Sequence, residues 1–280
     1  LQDRVDDTIA YLQDLAHTDS GNVAAVARMV QLQVEAGKLD EARAFLDARL
    51  TETPDEPGLR FLRAGLHVLE NQPDTAEAVY RDLLAAEPAA EPPLRALYSL
   101  LQEQGRGPEA DTLLKDIRKA APDARLPVLM QAGVAETAGD IDGAIALYET
   151  LYAADSSDLV VANNLASLLA AHRDDAASLE RANTIARRLA GSKVPAFQDT
   201  HGWLQTRTGD PAGGLSDLEA AARALPGDAV VQLHLGLTYL ALGQKDDARR
   251  VLQTALALAG DSPPPAFAAA RAALEKLGTP

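Results

Sequence analysis

Residues 229–262 read AVVQLHLGLTYLALGQKDDARRVLQTALALAGDS, and this stretch decides the fold. A glycine after an apolar helical run readily takes the left-handed conformation that ends a helix, so Gly243 places a turn between two helices. Five residues later, Ala248 stands where the second helix approaches the first too closely for a larger side chain. Working backwards, Gly209 precedes Gly243 by one period and Gly214 precedes Ala248 by the same step. Earlier in the chain the period returns three times over. Gly37, Asn71, Gly105 and Gly139 keep it, as do Ala42, Ala76, Ala110 and Ala144, and Pro54, Pro88 and Pro122. Each proline follows a second helix, stops it and opens the link to the next pair. Three residue classes on one period mark an internal repeat of helix-turn-helix units. One such unit cannot bury its own apolar face, so about three must stack for stability.

Composition agrees with this reading. Among 280 residues 47% are hydrophobic and only 4% aromatic, which favours closely packed helices over sheets and leaves enough apolar surface for a core. The formal net charge of -15 argues against nucleic acid, whose phosphates require clustered Lys and Arg. Cysteine is absent, which removes disulfides, thiolate metal sites and a Cys nucleophile. No run approaches the roughly 20 apolar residues of a membrane span. The chain opens on Leu1 with no leader pattern, which reads as a processed chain or a fragment of a longer one.

The residues resemble the tetratricopeptide repeat, whose 34-residue pattern is W-x2-L-G-x2-Y, then A-x3-F, then P. Leu235-Gly236-x2-Tyr239, Gly243, Ala248-x3-Leu252 and Ala255 follow it closely, and the preceding unit shows Gly202, Gly209, Leu218, Ala221 and Pro226. Gly214 replaces the usual Ala there, while Val30 and Tyr98 fill the small-residue slot of the first and third units. The resemblance implies an all-α, right-handed α-solenoid over residues 1–280. Seven units begin at Val23, Pro57, Glu91, Arg125, Leu159, Pro195 and Ala229 and run through residue 262. Residues 1–20 read as the second helix of an incomplete leading repeat, and 264–278 as a C-terminal capping helix. In the fifth unit the turn lengthens through His172-Arg173-Asp174-Asp175, and the second-helix Ala arrives four residues late, at Ala182.

A narrower likeness covers Asn163-Asn164-Leu165-Ala166, the long turn, and Asp199-Thr200-His201-Gly202-Trp203. It resembles a pair of units in bacterial repeat lipoproteins of exopolysaccharide and PEP-CTERM envelope systems. That implies a bacterial source and favours envelope or periplasm over cytoplasm, while the residues themselves leave the compartment open.

Catalytic chemistry has little support in the sequence. His17, His67, His172, His201 and His234 show no H-x-x-x-H or H-E-x-x-H spacing, and no G-x-S-x-G, P-loop or G-x-G-x-x-G run occurs. His201 and His234 fall on successive first helices, where packing is the expected role. Runs such as Asp155-Ser156-Ser157-Asp158 fall at inter-unit turns and suit helix capping. No enzyme activity, cofactor or metal is expected.

Binding is the better reading, since first helices line the concave face of such a stack. Its expected groove residues are Phe61, Val68, Arg95, Gln102, Leu129, Glu136, Asn163, Ser167, Asp199, Trp203 and Arg207. Leu233, Leu237 and Leu240 hold the same register places, with burial beneath the cap as their alternative. Arg95, Asn163 and Arg207 are too widely spaced for the basic cluster that captures chaperone C-terminal carboxylates. Gly65, Gly133, Ser167 and Ala170 leave room between apolar walls, which suits an extended or helical polypeptide segment. Trp203 is the expected anchor; alternatively Gly202 lets it lie across an adjoining helix. The function implied is a protein-binding scaffold within a larger bacterial assembly or envelope protein. The alternative is a self-associating module, a homodimer formed through the groove or the terminal helices.

Overall fold

The structure, a computed structural model, describes residues 23–278. The leading helix expected over 1–20 lies outside the described residues. Fifteen α-helices and two short 3-10 turns follow one another, with no strand among the described residues. The chain divides into two compact units at Pro127–Val128.

In the first unit the helices pair as α1 (Val23–Glu35) with α2 (Leu39–Glu52), α3 (Pro57–Leu69) with α4 (Pro73–Ala86), and α5 (Glu91–Glu103) with α6 (Gly107–Ala120). The second unit takes up α7 (Arg125–Thr137) from Val128 and pairs it with α8 (Ile141–Ala154). It continues with α9 (Leu159–His172) and α10 (Ala176–Ala186), α11 (Pro195–Arg207) and α12 (Pro211–Ala224), and α13 (Ala229–Ala241) and α14 (Lys245–Ala259). It closes with α15 (Ala268–Leu277). Within each unit the pairs stack as an α-solenoid, first helix beside first helix: α1 packs on α3, α9 on α11, and α11 on α13.

The corners explain the period. Gly37, Gly105, Gly139, Gly209 and Gly243 all have positive φ, and Asn71 takes φ 60° in the same place. That conformation lets the next amide reach back five residues: Lys38 N–H to the Gln33 carbonyl, Gln72 to His67 and Gln244 to Tyr239, at 2.8–2.9 Å. Helix starts are fixed by proline in the first turn, as at Pro57, Pro73, Pro195 and Pro211, or by carboxylate caps. Asp158 and Asp228 each accept from two first-turn amides, at positions 160–161 and 230–231.

Small residues mark the closest packing. Ala42, Ala76, Ala110, Ala144, Ala182 and Ala248 are fully buried. In α11 and α12 the approach is tighter still, because Gly202 and Gly214 face each other backbone to backbone. A Cβ added at Gly214 would lie 2.2 Å from the Gly202 carbonyl oxygen, and one at Gly202 would lie 2.6 Å from that of Gly214. Gly214 is therefore one half of a reciprocal contact that no Ala can replace. In the third unit Tyr98 stands on the first helix at the register place of Gly202; its ring stays half-exposed and its hydroxyl accepts from Gln102 at 2.9 Å.

At the C-terminal end, Phe267 and Ala270 cover Leu233, Leu252 and Ala255 in one buried cluster. Leu233 is accordingly core rather than groove lining, with Leu237 and Leu240 packed against it. Arg249 ties the covering helix down, donating to the Leu277 carbonyl at 3.0 Å.

Candidate functional site

First helices carry all eleven expected groove residues, and none of the eleven is fully buried. In the first unit they stand apart. The Phe61 ring tilts against Tyr80 at 5.7 Å, Val68 is half-buried, Arg95 pairs with Glu91 on its own helix, and Gln102 bonds Tyr98. Among the described residues no hydrogen bond, ion pair or ring contact links those four to one another.

The second unit brings its members together. On α11, Asp199, Trp203 and Arg207 are spaced one helical turn apart and so share a face. Across from them on α13, His234 stacks its ring on Trp203, centroids 4.4 Å apart and planes 8° from parallel. The Nδ1 of His234 lies 3.0 Å from both Asp199 carboxylate oxygens. Arg207 extends over the Trp203 ring at 5.7 Å while donating to the Ala170 carbonyl on α9 and to Asp174 in the long turn, at 2.9 and 2.8 Å. One continuous chain of contacts thus runs Asp199, His234, Trp203, Arg207, Asp174 and joins α9, α11 and α13.

Beside it, α9 presents Ser167, which is exposed, and Asn163. The Asn163 amide donates to Asn164 at 3.2 Å, but its Oδ1 is shut off from solvent and accepts no hydrogen bond. Asn164 in turn donates to the Tyr148 hydroxyl on α8, which donates to Glu136 on α7 at 2.7 Å. Burial, helped by the Glu136 carboxylate, pushes the Tyr148 hydroxyl well above the usual tyrosine range. Leu129 packs on the core cluster beneath this row. Gly133 has nothing within 4 Å of an added Cβ, so its stretch of the face is open.

The sequence placed His201 and His234 on successive first helices, and the structure gives each its own carboxylate: His201 meets Asp217 at 2.6 Å, His234 meets Asp199. The clue to the second pairing is separation. Asp199 and His234 lie 35 residues apart, Asp174 and Arg207 33, and Asp142 and Arg173 31, each close to one repeat. Side chains one repeat apart in sequence are neighbours in a stack. No cluster of three potential metal ligands occurs among the described residues, and no helix among them is long and apolar enough to cross a membrane.

Helix pairs that stack within each unit, with corners on a recurrent period, define a helical repeat scaffold. Models of the tetratricopeptide repeat match residues 1–66 and 206–274, and a second such model matches 95–158. The chain belongs to the tetratricopeptide-repeat family, whose members bind proteins or peptides. It is 36% identical over 173 residues to cellulose synthase 2 operon protein C of Komagataeibacter xylinus, covering 60% of this chain and 13% of that protein. It is 32% identical over 128 residues to cellulose synthase operon protein C of Pseudomonas fluorescens, covering 43% and 10%. The chain thus spans only about a tenth of the length of these relatives. Among solved structures, that of the APC/C hetero-tetramer Cut9-Hcn1 covers 98% of this chain and 53% of its own, with TM-score 0.59 and 15% identity. That of Pseudomonas aeruginosa pilF covers 81% and 98%, with TM-score 0.54 and 19% identity. At those identities the likeness is one of fold.

Proposed function

We propose that this chain is a non-catalytic scaffold segment that holds a partner polypeptide against α9, α11 and α13, within a larger bacterial envelope assembly. The observation that carries the reading is the chain of contacts from Asp199 through His234 and Trp203 to Arg207, centred on a first helix that packs beside the one carrying Asn163 and Ser167. Asn163, Ser167, Asp199, Trp203 and Arg207 all keep some exposure, and the tryptophan is held by the His234 stack and the Arg207 guanidinium. A rigid, partly exposed tryptophan among pre-bonded polar groups freezes few rotors on binding, which is the character of a binding hot spot. Relatives named for cellulose synthase operons support an assembly that makes or exports an exopolysaccharide, and with it an envelope location.

Trp203 is the sole tryptophan, so its emission reports on this face directly. Purified proteins encoded beside the gene are titrated one at a time against wild type and against Ser167→Tyr, which fills the face from an exposed position. A true partner shifts the emission, and Ser167→Tyr weakens it by about tenfold or more at unchanged melting temperature. If no such protein moves the emission, or the variant binds equally well, the reading fails. A wild-type dimer in light scattering that Ser167→Tyr abolishes would assign the face to self-association instead.

A further inference from the structure

We propose a second docking surface, built on second helices and separate from the Trp203 face: Arg187, Arg188 and Lys193, at the end of α10 and in the turn after it, take an acidic polypeptide segment. In a chain of net charge -15, residues 181–198 hold Arg181, Arg187, Arg188 and Lys193 and no carboxylate. Cross-helix arginines elsewhere are neutralised: Arg60 meets Asp82, Arg63 meets Asp47, and Arg106 meets Glu77. Arg181 does the same with Glu149 on α8. Arg188 departs from the pattern. About one turn along α8 from Glu149, Tyr152 stands where a carboxylate would be. Arg188 donates from Nε to the Tyr152 hydroxyl at 3.0 Å, its guanidinium 5.9 Å from the ring centroid. The side chain is thereby held in place while its charge stays uncompensated, and its terminal nitrogens are left for the paired hydrogen bonds that a carboxylate accepts. Arg187 has a loose pair, 3.8 Å from Glu180 with both side chains largely exposed, and among the described residues no hydrogen bond or ion pair engages the Lys193 side chain. With Glu180 set against Arg187, and the carboxyl end of α10 worth about half a negative charge, the patch keeps an excess of positive charge. All three cations and the neighbouring Val194 are exposed, so a bound segment reaches them without displacing any part of the chain. A flat anionic membrane would meet the chain's many carboxylates along with this patch and be repelled. A narrow segment senses only charges within about 8 Å, one screening length at physiological salt. Val194 adds a contact for an aliphatic side chain, so the fitting segment sets Asp or Glu beside Leu, Ile or Val.

The probe is a phage-displayed library of random peptides, selected on the full chain and counter-selected on Arg188→Gln combined with Lys193→Gln. Both side chains are exposed, so this double variant is expected to keep the wild-type melting temperature. Selected peptides are expected to carry Asp or Glu beside an aliphatic residue, to bind the double variant about tenfold or more weakly, and to lose affinity steeply from low to high salt. Lys115→Gln combined with Lys119→Gln removes the same charge from exposed places on α6 and is expected to leave binding unchanged. Equal weakening by the two double variants would show a response to net charge alone and overturn the proposal. Patch-dependent peptides that are neutral or basic, or the recovery of none, would overturn it as well. Binding to vesicles of phosphatidylserine and phosphatidylcholine that is lost in Arg188→Gln with Lys193→Gln would overturn it in favour of a lipid surface. None of these outcomes bears on the Trp203 face, which is tested separately.

Discussion

Two kinds of glycine sit within the helices, and they answer to different physics. At Gly65 and Gly133 an added Cβ meets nothing within 4 Å, whereas at Gly202 and Gly214 it drives into backbone. Replacing Gly65 or Gly133 by Ala therefore adds helix propensity without a clash, and each variant is expected to gain about 0.5–1 kcal/mol in urea unfolding. Gly202→Ala and Gly214→Ala force α11 and α12 apart and are expected to lose about 1–3 kcal/mol each. Equal effects at the two kinds of site would refute the close-approach account. Trp203 shows what the sequence could and could not tell at this scale. Its place on the first-helix face was legible from register, but its ring stack on His234 depends on a residue one repeat away. It packs against two core clusters, so its removal touches stability as well as the exposed face.

Between elements, ion pairs stitch one helix pair to the next. Arg106, at the start of α6, reaches Glu77 on α4 at 2.6 Å and Glu109 at 2.7 Å, while Arg81 also bonds Glu77. The Arg106 guanidinium holds the Glu77 carboxyl below its ordinary value of 4.5. A carboxylate with a depressed folded-state value stabilises the fold fully above its ordinary value, and the contribution is lost as pH falls through the folded one. Stability in acid should therefore decline less steeply in Glu77→Gln than in wild type, with the two slopes merging at neutral pH. Parallel slopes from pH 5 downward would mean that the pair contributes nothing. The long turn after α9 is stitched in the same way. Its residues are mostly exposed, yet Arg173 bonds Asp142 at the start of α8 and Asp174 bonds Arg207 at the end of α11. The turn's polarity was legible as a sign that it stays at the surface; its two anchors were not, because they lie 31 and 33 residues away.

For the whole molecule, what was legible is whatever depends on backbone shape. Gly, Asn and Pro mark corners because few other residues take those conformations, and Ala marks contacts because nothing larger fits, so the all-α class and the helix-turn-helix repeat followed from spacing, and the repeat type from the resemblance of the motif residues. Pairings across the stack depend on how far each pair rotates against the last, which no single repeat encodes. The C-terminal end shows the energetic side of repetition. Removing residues 264–280 would strip Phe267 and Ala270 from Leu233, Leu252 and Ala255 and leave an apolar face open. The truncated chain is expected to aggregate and to melt earlier; a monomer with unchanged melting would show that the last helix is dispensable.

The Asp199-to-Asp174 chain of contacts also bears on how unfolding is watched. It lies wholly in the second unit and contains the molecule's single indole, so an emission melt follows the cooperative loss of α9, α11 and α13 and is blind to the rest. Far-ultraviolet dichroism weighs every helix alike. Agreement between the two signals is therefore a measure of whether this array melts as one cooperative body, and divergence would resolve the separate free energies of its parts.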